Sequence, residues 1–253
     1  MLRSNNDVRS AIDVTTGVLV FEGMKVGVLA GDMTISVDEA GSINSKLILS
    51  TAYNVLPIWI RIANDQFVQS KTASVAVAAG WGTSDPANRE LLVAELEPSL
   101  QVFVSCGIAL DALYDQLRPF ANLEQSQIKQ WKDNKTGRHR QIVEVIRRVY
   151  KLDNETVSNF RQAISEILKY RDLAVHPSLE LKQTCTRPDI PVGIDWKFSA
   201  YRYVNAEKCF KHTMQILIHL YERGCGVAAV ADQMENVFKA LVELKVITRN
   251  VAR

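Results

Sequence analysis

The chain has 253 residues, 47% of them hydrophobic and 23% charged, and a formal net charge of only +2. That is long enough for one large or two small domains with a real core, and too apolar for a disordered chain. Cys106, Cys185, Cys209 and Cys225 are too widely spaced for a metal knuckle or a disulfide framework, so reduced cytosolic thiols are expected. The N-terminal MLRSNNDVRSAIDV has no apolar run suited to a signal peptide. The most apolar window, 47–63, is broken by Asn54, Pro57 and Arg61, so no membrane span is expected. These features predict a cytoplasmic protein.

Residues 1–43 read as a β-rich segment. Val18–Phe21, Met24–Leu29 and Met33–Val37 are β-branched and partly alternating, with Glu22-Gly23 and Gly31-Asp32 as turns between them. A small β-meander is predicted, packed on helices or paired across a dimer because so few strands are not stable alone. Helical periodicity begins at Ser45. Residues 45–73 predict one helix kinked at Pro57, or two helices. Gly80–Pro86 is a break, and Ser84 or Asp85 caps the next helix, which is interrupted near Pro98 and resumes to about Gln116. A helical domain over 44–224 follows from this pattern. The last helix, within 225–253, belongs to the same domain or to a dimer contact.

Residues 128–151 carry eight Lys and Arg against Asp133 and Glu144, a local excess of +6 in a chain of +2. A helix starting near Gly137 buries Ile142, Val145, Ile146 and Val149. Such a charge run forms either a solvated helix face or a phosphate-contacting surface. On the second reading Arg138, Arg140, Arg147 and Arg148 are the candidate RNA-binding residues.

Asp153-Asn154 then caps an amphipathic helix whose apolar stripe is Val157, Phe160, Ile164 and Ile167. The next position on that stripe is Arg171, which must find an anion or an ion-pair partner, because an unpaired buried charge is very costly. His176 precedes Pro177, which biases it away from helical angles, so the helix is predicted to end between Arg171 and His176. Residues 177–203 are rich in loop signals and end in the aromatic and basic stretch Asp195–Tyr203. That stretch covers the core or stacks bases. Asn205 and Gly224 are suited to cap the helix between them, whose flank carries His212 and His219.

No phosphate-binding loop, dinucleotide fingerprint, zinc-protease helix, serine-hydrolase elbow or paired CxxC is present, and no metal-ligand spacing occurs. Arg171-Asp172-Leu173-Ala174-Val175-His176 resembles the signature of HEPN domains (higher eukaryotes and prokaryotes nucleotide-binding): arginine, a polar residue, then histidine after a four-residue spacer. The resemblance covers about residues 87–223. Asp172 stands where Asn is more usual, and the 177–203 passage is long. Ser178 replaces the tyrosine found two places after the histidine in antitoxin-paired toxins.

The resemblance implies a mainly α, HEPN-like helical bundle with a small N-terminal β-meander or hairpin. It implies a metal-independent endoribonuclease of a toxin or phage-defence system, with no cofactor, acting as a homodimer on RNA and paired with an antitoxin or other partner protein. Arg171 and His176 would sit at the dimer interface, with Asp172 orienting His176 or pairing with Arg171. Imidazole can move the 2′-hydroxyl proton and guanidinium can hold the phosphate. Residues five apart on a continuous helix point about 140° apart, so convergence needs a helix break or a second subunit. The alternative is a catalytically inactive HEPN-like module binding RNA, a nucleotide or a protein, or a structural dimerisation protein.

Overall fold

The computed structural model describes residues 18–82, 84–176 and 178–248, and the chain divides into two units between Asn54 and Val55. In the first unit the strands are β1 (Met24–Gly27), β2 (Met33–Val37), β3 (Ile43–Leu47) and β4 (Ser50–Tyr53). They form a nested hairpin rather than a meander: β2 pairs antiparallel with β3, and β1 with β4. At the tip, Asp38 Oδ1 accepts the Ala40 and Ser42 N–H groups at 3.0 and 2.8 Å, and Gly41 takes φ +81°. Glycine reaches that left-handed region without a Cβ clash. Between the two strand pairs, Asp32 bonds both ways. Its carboxylate accepts from Leu29 N–H at 3.0 Å and its carbonyl from Ile48 N–H at 2.8 Å.

The helix expected from Ser45 therefore starts eleven residues later. Residues 43–47 and 50–53 have cross-strand partners in β2 and β1, and pairing overrides a short helical pattern. Val18–Phe21 takes no strand pairing. Phe21 instead tilts against Tyr53, with ring centroids 5.5 Å apart.

The second unit is mainly helical. Its first helix, α1 (Leu56–Gly80), has Pro57 in its first turn, where the missing N–H costs nothing, so the proline starts the helix instead of kinking it. The next, α2 (Asp85–Leu117), is capped by Ser84, whose Oγ accepts from Ala87 N–H. It runs through Pro98 without the predicted interruption. Pro98 is buried, and α2 packs along its length on α1 and on the later helices, which outweighs one lost backbone bond. By length and composition α2 could cross a membrane, yet half of its apolar window is buried in the fold, as in the core helix of a bundle.

After α3 (Gln125–Asp133) come α4 (Arg138–Tyr150) and α5 (Asn154–Val175). The α4 stripe Ile142, Val145, Ile146 and Val149 is buried as predicted, and so are Val157, Phe160, Ile164 and Ile167 of α5. Asp153 caps α5 by accepting from Thr156 N–H at 2.8 Å. The loop-rich passage contains a hairpin, β5 (Cys185–Arg187) with β6 (Ile190–Ile194), and a short α6 (Trp196–Ala200). Asn205 lies inside α7 (Tyr203–Arg223) rather than capping it, and its side-chain amide donates to Ser199 and Ala200 carbonyls. Gly224, at φ +69°, ends α7. Finally α8 (Ala228–Glu243) buries Val230, Met234, Val237, Phe238 and Leu241. All of these helices except α3 and α6 contribute buried residues to one core around α2, and α3 and α6 pack partly buried aromatic residues against it.

Candidate functional site

Three helices bring a charged cluster together. On α2, Gly107, Asp111, Tyr114 and Asp115 recur at steps of four, three and one, which puts them along one flank. Arg171 comes from α5 and Arg138 from the first turn of α4. Arg171 Nη1 donates to Asp111 Oδ2 at 3.1 Å, and Arg138 Nε donates to the other oxygen, Oδ1, at 2.7 Å. Asp111 thus bridges two guanidinium groups. Arg138 also lies 3.6 Å from Asp115 Oδ1 and stacks its guanidinium 3.7 Å from the Tyr114 ring centroid. Arg171 Nε is 2.8 Å from Asp172 Oδ1, an ion pair outside hydrogen-bond geometry.

The arginine that ends the α5 apolar stripe has found its partners. Its side chain is only 19% exposed, and its stem crosses α2 at Gly107. A Cβ at Gly107 would stand 2.7 Å from Arg171 Cγ, so only glycine leaves room there. Asp172 pairs with Arg171 rather than with His176. Its carbonyl accepts the His176 N–H at 2.9 Å, which closes the helix. His176 is the C-cap at φ −118°, ψ 67°; it is exposed, and its ring bonds to no described residue. Arg171 and His176 therefore flank the predicted helix end without touching one another within one chain.

The other candidate cations are placed differently. Arg147 donates to both Glu144 oxygens at 2.8 and 2.7 Å, and Arg148 shares Glu144 Oε1 at 2.7 Å. Hydrogen bonds from Arg147, and then from Arg148, hold the Glu144 carboxyl below its ordinary value against the opposing effect of burial. Arg140 is exposed and ion-pairs with no described residue. Burial, and then the charges of Arg140 and Arg161, hold the neighbouring His139 below its usual value. Of the four candidate arginines, Arg138, Arg147 and Arg148 are committed to carboxylates of the chain, and Arg140 stands open to an external anion.

Reasoning from sequence alone missed Gly107, Asp111 and Asp115. Their signal was a glycine and two aspartates, one turn apart, inside an otherwise apolar helix. His212, on α7, is not part of the Arg171 cluster. With Glu166, Tyr170, Lys208 and Cys209 it lines a hollow of about 60 Å³, room for a water or two. His219 packs edge-on against Phe160. Tyr201 is buried, and its hydroxyl donates to the Tyr170 carbonyl at 2.8 Å, so the aromatic stretch before α7 covers the core. Burial, and then the Cys106 thiol, push Cys209 well above the ordinary thiol range, which disfavours the nucleophilic thiolate. Among the described residues no group of three or more His, Cys, Asp or Glu side chains is placed to hold a metal ion. Comparison of the chain with protein-family models, curated proteins and solved structures returned no match.

Proposed function

We propose that the protein is a HEPN-type, metal-independent endoribonuclease acting as a cytoplasmic homodimer in a toxin or phage-defence setting. The observation that carries this reading is the end of α5. A half-buried, carboxylate-held Arg171 sits just over one turn before an exposed His176 at the helix cap. Asp111 and Asp172 position the guanidinium so that its remaining donors meet a phosphate with little side-chain entropy to lose. His176, free to rotate at the cap, takes the 2′-hydroxyl proton or returns one to the leaving 5′-oxygen. A second copy across a two-fold supplies the convergence that one chain lacks, since its Arg171 and His176 do not touch although the helix ends between them.

The test is cleavage of single-stranded RNA in the presence of EDTA. Wild type is expected to cleave, and His176→Ala to lose at least about 100-fold, the scale of general acid–base catalysis, with an unchanged circular dichroism spectrum. Equal activity in the two proteins rejects the assignment. If Arg140 contacts RNA, Arg140→Ala lowers the slope of log affinity against log salt by about 0.7, one single-strand phosphate contact. Arg147→Ala, which unties Glu144, does not act as a simple loss of one contact.

One observation favours a second reading, a catalytically inactive module that binds RNA, a nucleotide or a protein. Arg138 and Arg171 face Asp111, Asp115 and Asp172, so the cluster carries one more negative charge than positive. That balance weakens attraction for phosphate at the cluster itself, so any ligand of an inactive module would be held elsewhere. In this case His176→Ala leaves ligand retention intact and neither protein cleaves RNA.

A further inference from the structure

A second hollow lies where the end of α4 meets the end of α7 and the start of α8. Its volume is about 300 Å³, and every residue lining it belongs to the helical unit. Roughly 150 Å³ accommodates a benzene ring, so a ring with a short side arm fits here. Met234, Ala231 and Tyr221 supply apolar wall. The Tyr221 ring is fixed by stacking on Phe238, with centroids 4.0 Å apart.

Two features of the lining select a ligand. The first is a hydroxyl without a partner. Tyr150 is 4% exposed, and its hydroxyl bonds to no described residue. Burial, and then the Cys225 thiol, push that hydroxyl above its ordinary value, and Cys225 also lines the hollow. A buried hydroxyl is costly unless a hydrogen bond answers it. The second feature is charge. The lining holds Glu222 and Glu235 and no Lys, Arg or His. Tyr221 donates its hydroxyl to Glu235 Oε2 at 2.8 Å, while the largely exposed Lys239 stays 3.7 Å from Oε1. An anion entering the hollow meets like charge, whereas a cation meets carboxylates and an aromatic ring.

We infer that this hollow binds a small organic amine in its protonated form, with the apolar body against Met234 and Tyr221 and the ammonium group toward Glu235 and the Tyr150 hydroxyl oxygen. A primary ammonium has three donors and no acceptor, so carboxylate and hydroxyl oxygens are the groups that satisfy it. The site uses neither Arg171 nor His176. It goes beyond the nuclease reading and does not depend on it.

The test is isothermal titration of the full chain with 2-phenylethylamine as the probe. Beside it run 2-phenylethanol and 3-phenylpropionate, similar in size but neutral and anionic. The amine is expected to bind with a Kd below about 1 mM, and the other two at least about 10-fold more weakly. Glu235→Gln, which keeps an acceptor for the Tyr221 hydroxyl, should weaken amine binding by about 10-fold or more. Tyr150→Phe should weaken it too, yet the unliganded variant should melt no lower than wild type, because the hydroxyl removed has no partner. Ala231→Leu, at an exposed position in the lining, should fill the hollow and abolish binding without disturbing the core. Circular dichroism and melting temperature confirm that each variant folds. No binding of the amine, equal binding of the alcohol, or a Kd unchanged by Glu235→Gln overturns the inference. RNA cleavage is measured separately, so failure of one reading does not pass for failure of the other.

Discussion

Arg187→Met is expected to destabilise the helical unit by about 3–5 kcal/mol, the cost of leaving a buried charge without its partner. The Arg187 side chain is 2% exposed and that of Glu95, on α2, is 1%. Their closest atoms are 2.8 Å apart. Arg187 also donates to both Asp189 oxygens at 3.0 and 2.7 Å and to the Phe198 carbonyl at 3.0 Å, while Glu95 accepts the Tyr203 N–H at 2.8 Å. One guanidinium thus ties the β5–β6 hairpin and α6 to α2, and Glu95 carries the link on to the start of α7. For a chain of this size the loss corresponds to a Tm lower by roughly 10 °C or more, measurable by calorimetry. Removing both charges in Arg187→Met with Glu95→Met should restore part of the stability, since no buried charge is left unpaired while the Tyr203 N–H and the Phe198 carbonyl still lose their side-chain partners. A double variant no more stable than the single one contradicts this account.

The same network makes a pH prediction. Hydrogen bonds from Arg187 hold the Asp189 carboxyl below its ordinary value of 3.8. A lowered folded-state value means that the unfolded chain binds the proton more readily. The contribution is therefore complete above about pH 4 and lost as pH falls through the lower folded value. Acid unfolding of Arg187→Met should lack that component. A wild-type and variant pair with parallel acid-unfolding curves would remove Asp189 from the network.

Gly107→Ala is the second large effect expected, and its sign is informative. In an exposed helix interior, alanine in place of glycine gains up to about 1 kcal/mol. Here the added Cβ would meet Arg171 Cγ at 2.7 Å and Cβ at 3.1 Å. Those atoms lie close to the α5 backbone, so they cannot swing aside as the tip of a long side chain would. Overpacking of this kind typically costs about 1–3 kcal/mol, so the net change should be destabilising. Arg171 should also lose its 3.1 Å bond to Asp111, leaving Asp111 with Arg138 alone. If the nuclease reading holds, cleavage falls more than stability does, and Asp111→Asn shows the same split. Denaturant unfolding that finds Gly107→Ala more stable than wild type would show that Arg171 does not need this seat.

Much of the helical unit was legible in the residues. The stripes of α4, α5 and α8 repeat every three or four positions, and Ser84, Asp153 and Gly224 mark helix ends by local chemistry, which needs no distant partner. The strong amphipathic pattern of α5 also required Arg171 to be paired, without naming the partner. The N-terminal hairpin was less legible, because strand register depends on which segments meet, and Ile43–Tyr53 carries a weak helical pattern that pairing overrides.

By itself, then, the sequence determined a mainly helical chain with a short β-rich N-terminal part, the boundaries of its best-capped helices, and the arrangement of Arg171, Asp172 and His176 around a helix end. Local propensity and periodicity act over three or four residues, and these features lie within that range. Only the tertiary structure decided that Asp111, 60 residues before Arg171, would bridge it to Arg138. The same holds for Gly107 as the seat of Arg171, for Arg187 reaching Glu95, and for three of the four candidate arginines being bound to carboxylates of the chain. Each depends on which helix faces pack together. That is set by burial summed over the whole core, which a window of a few residues does not contain.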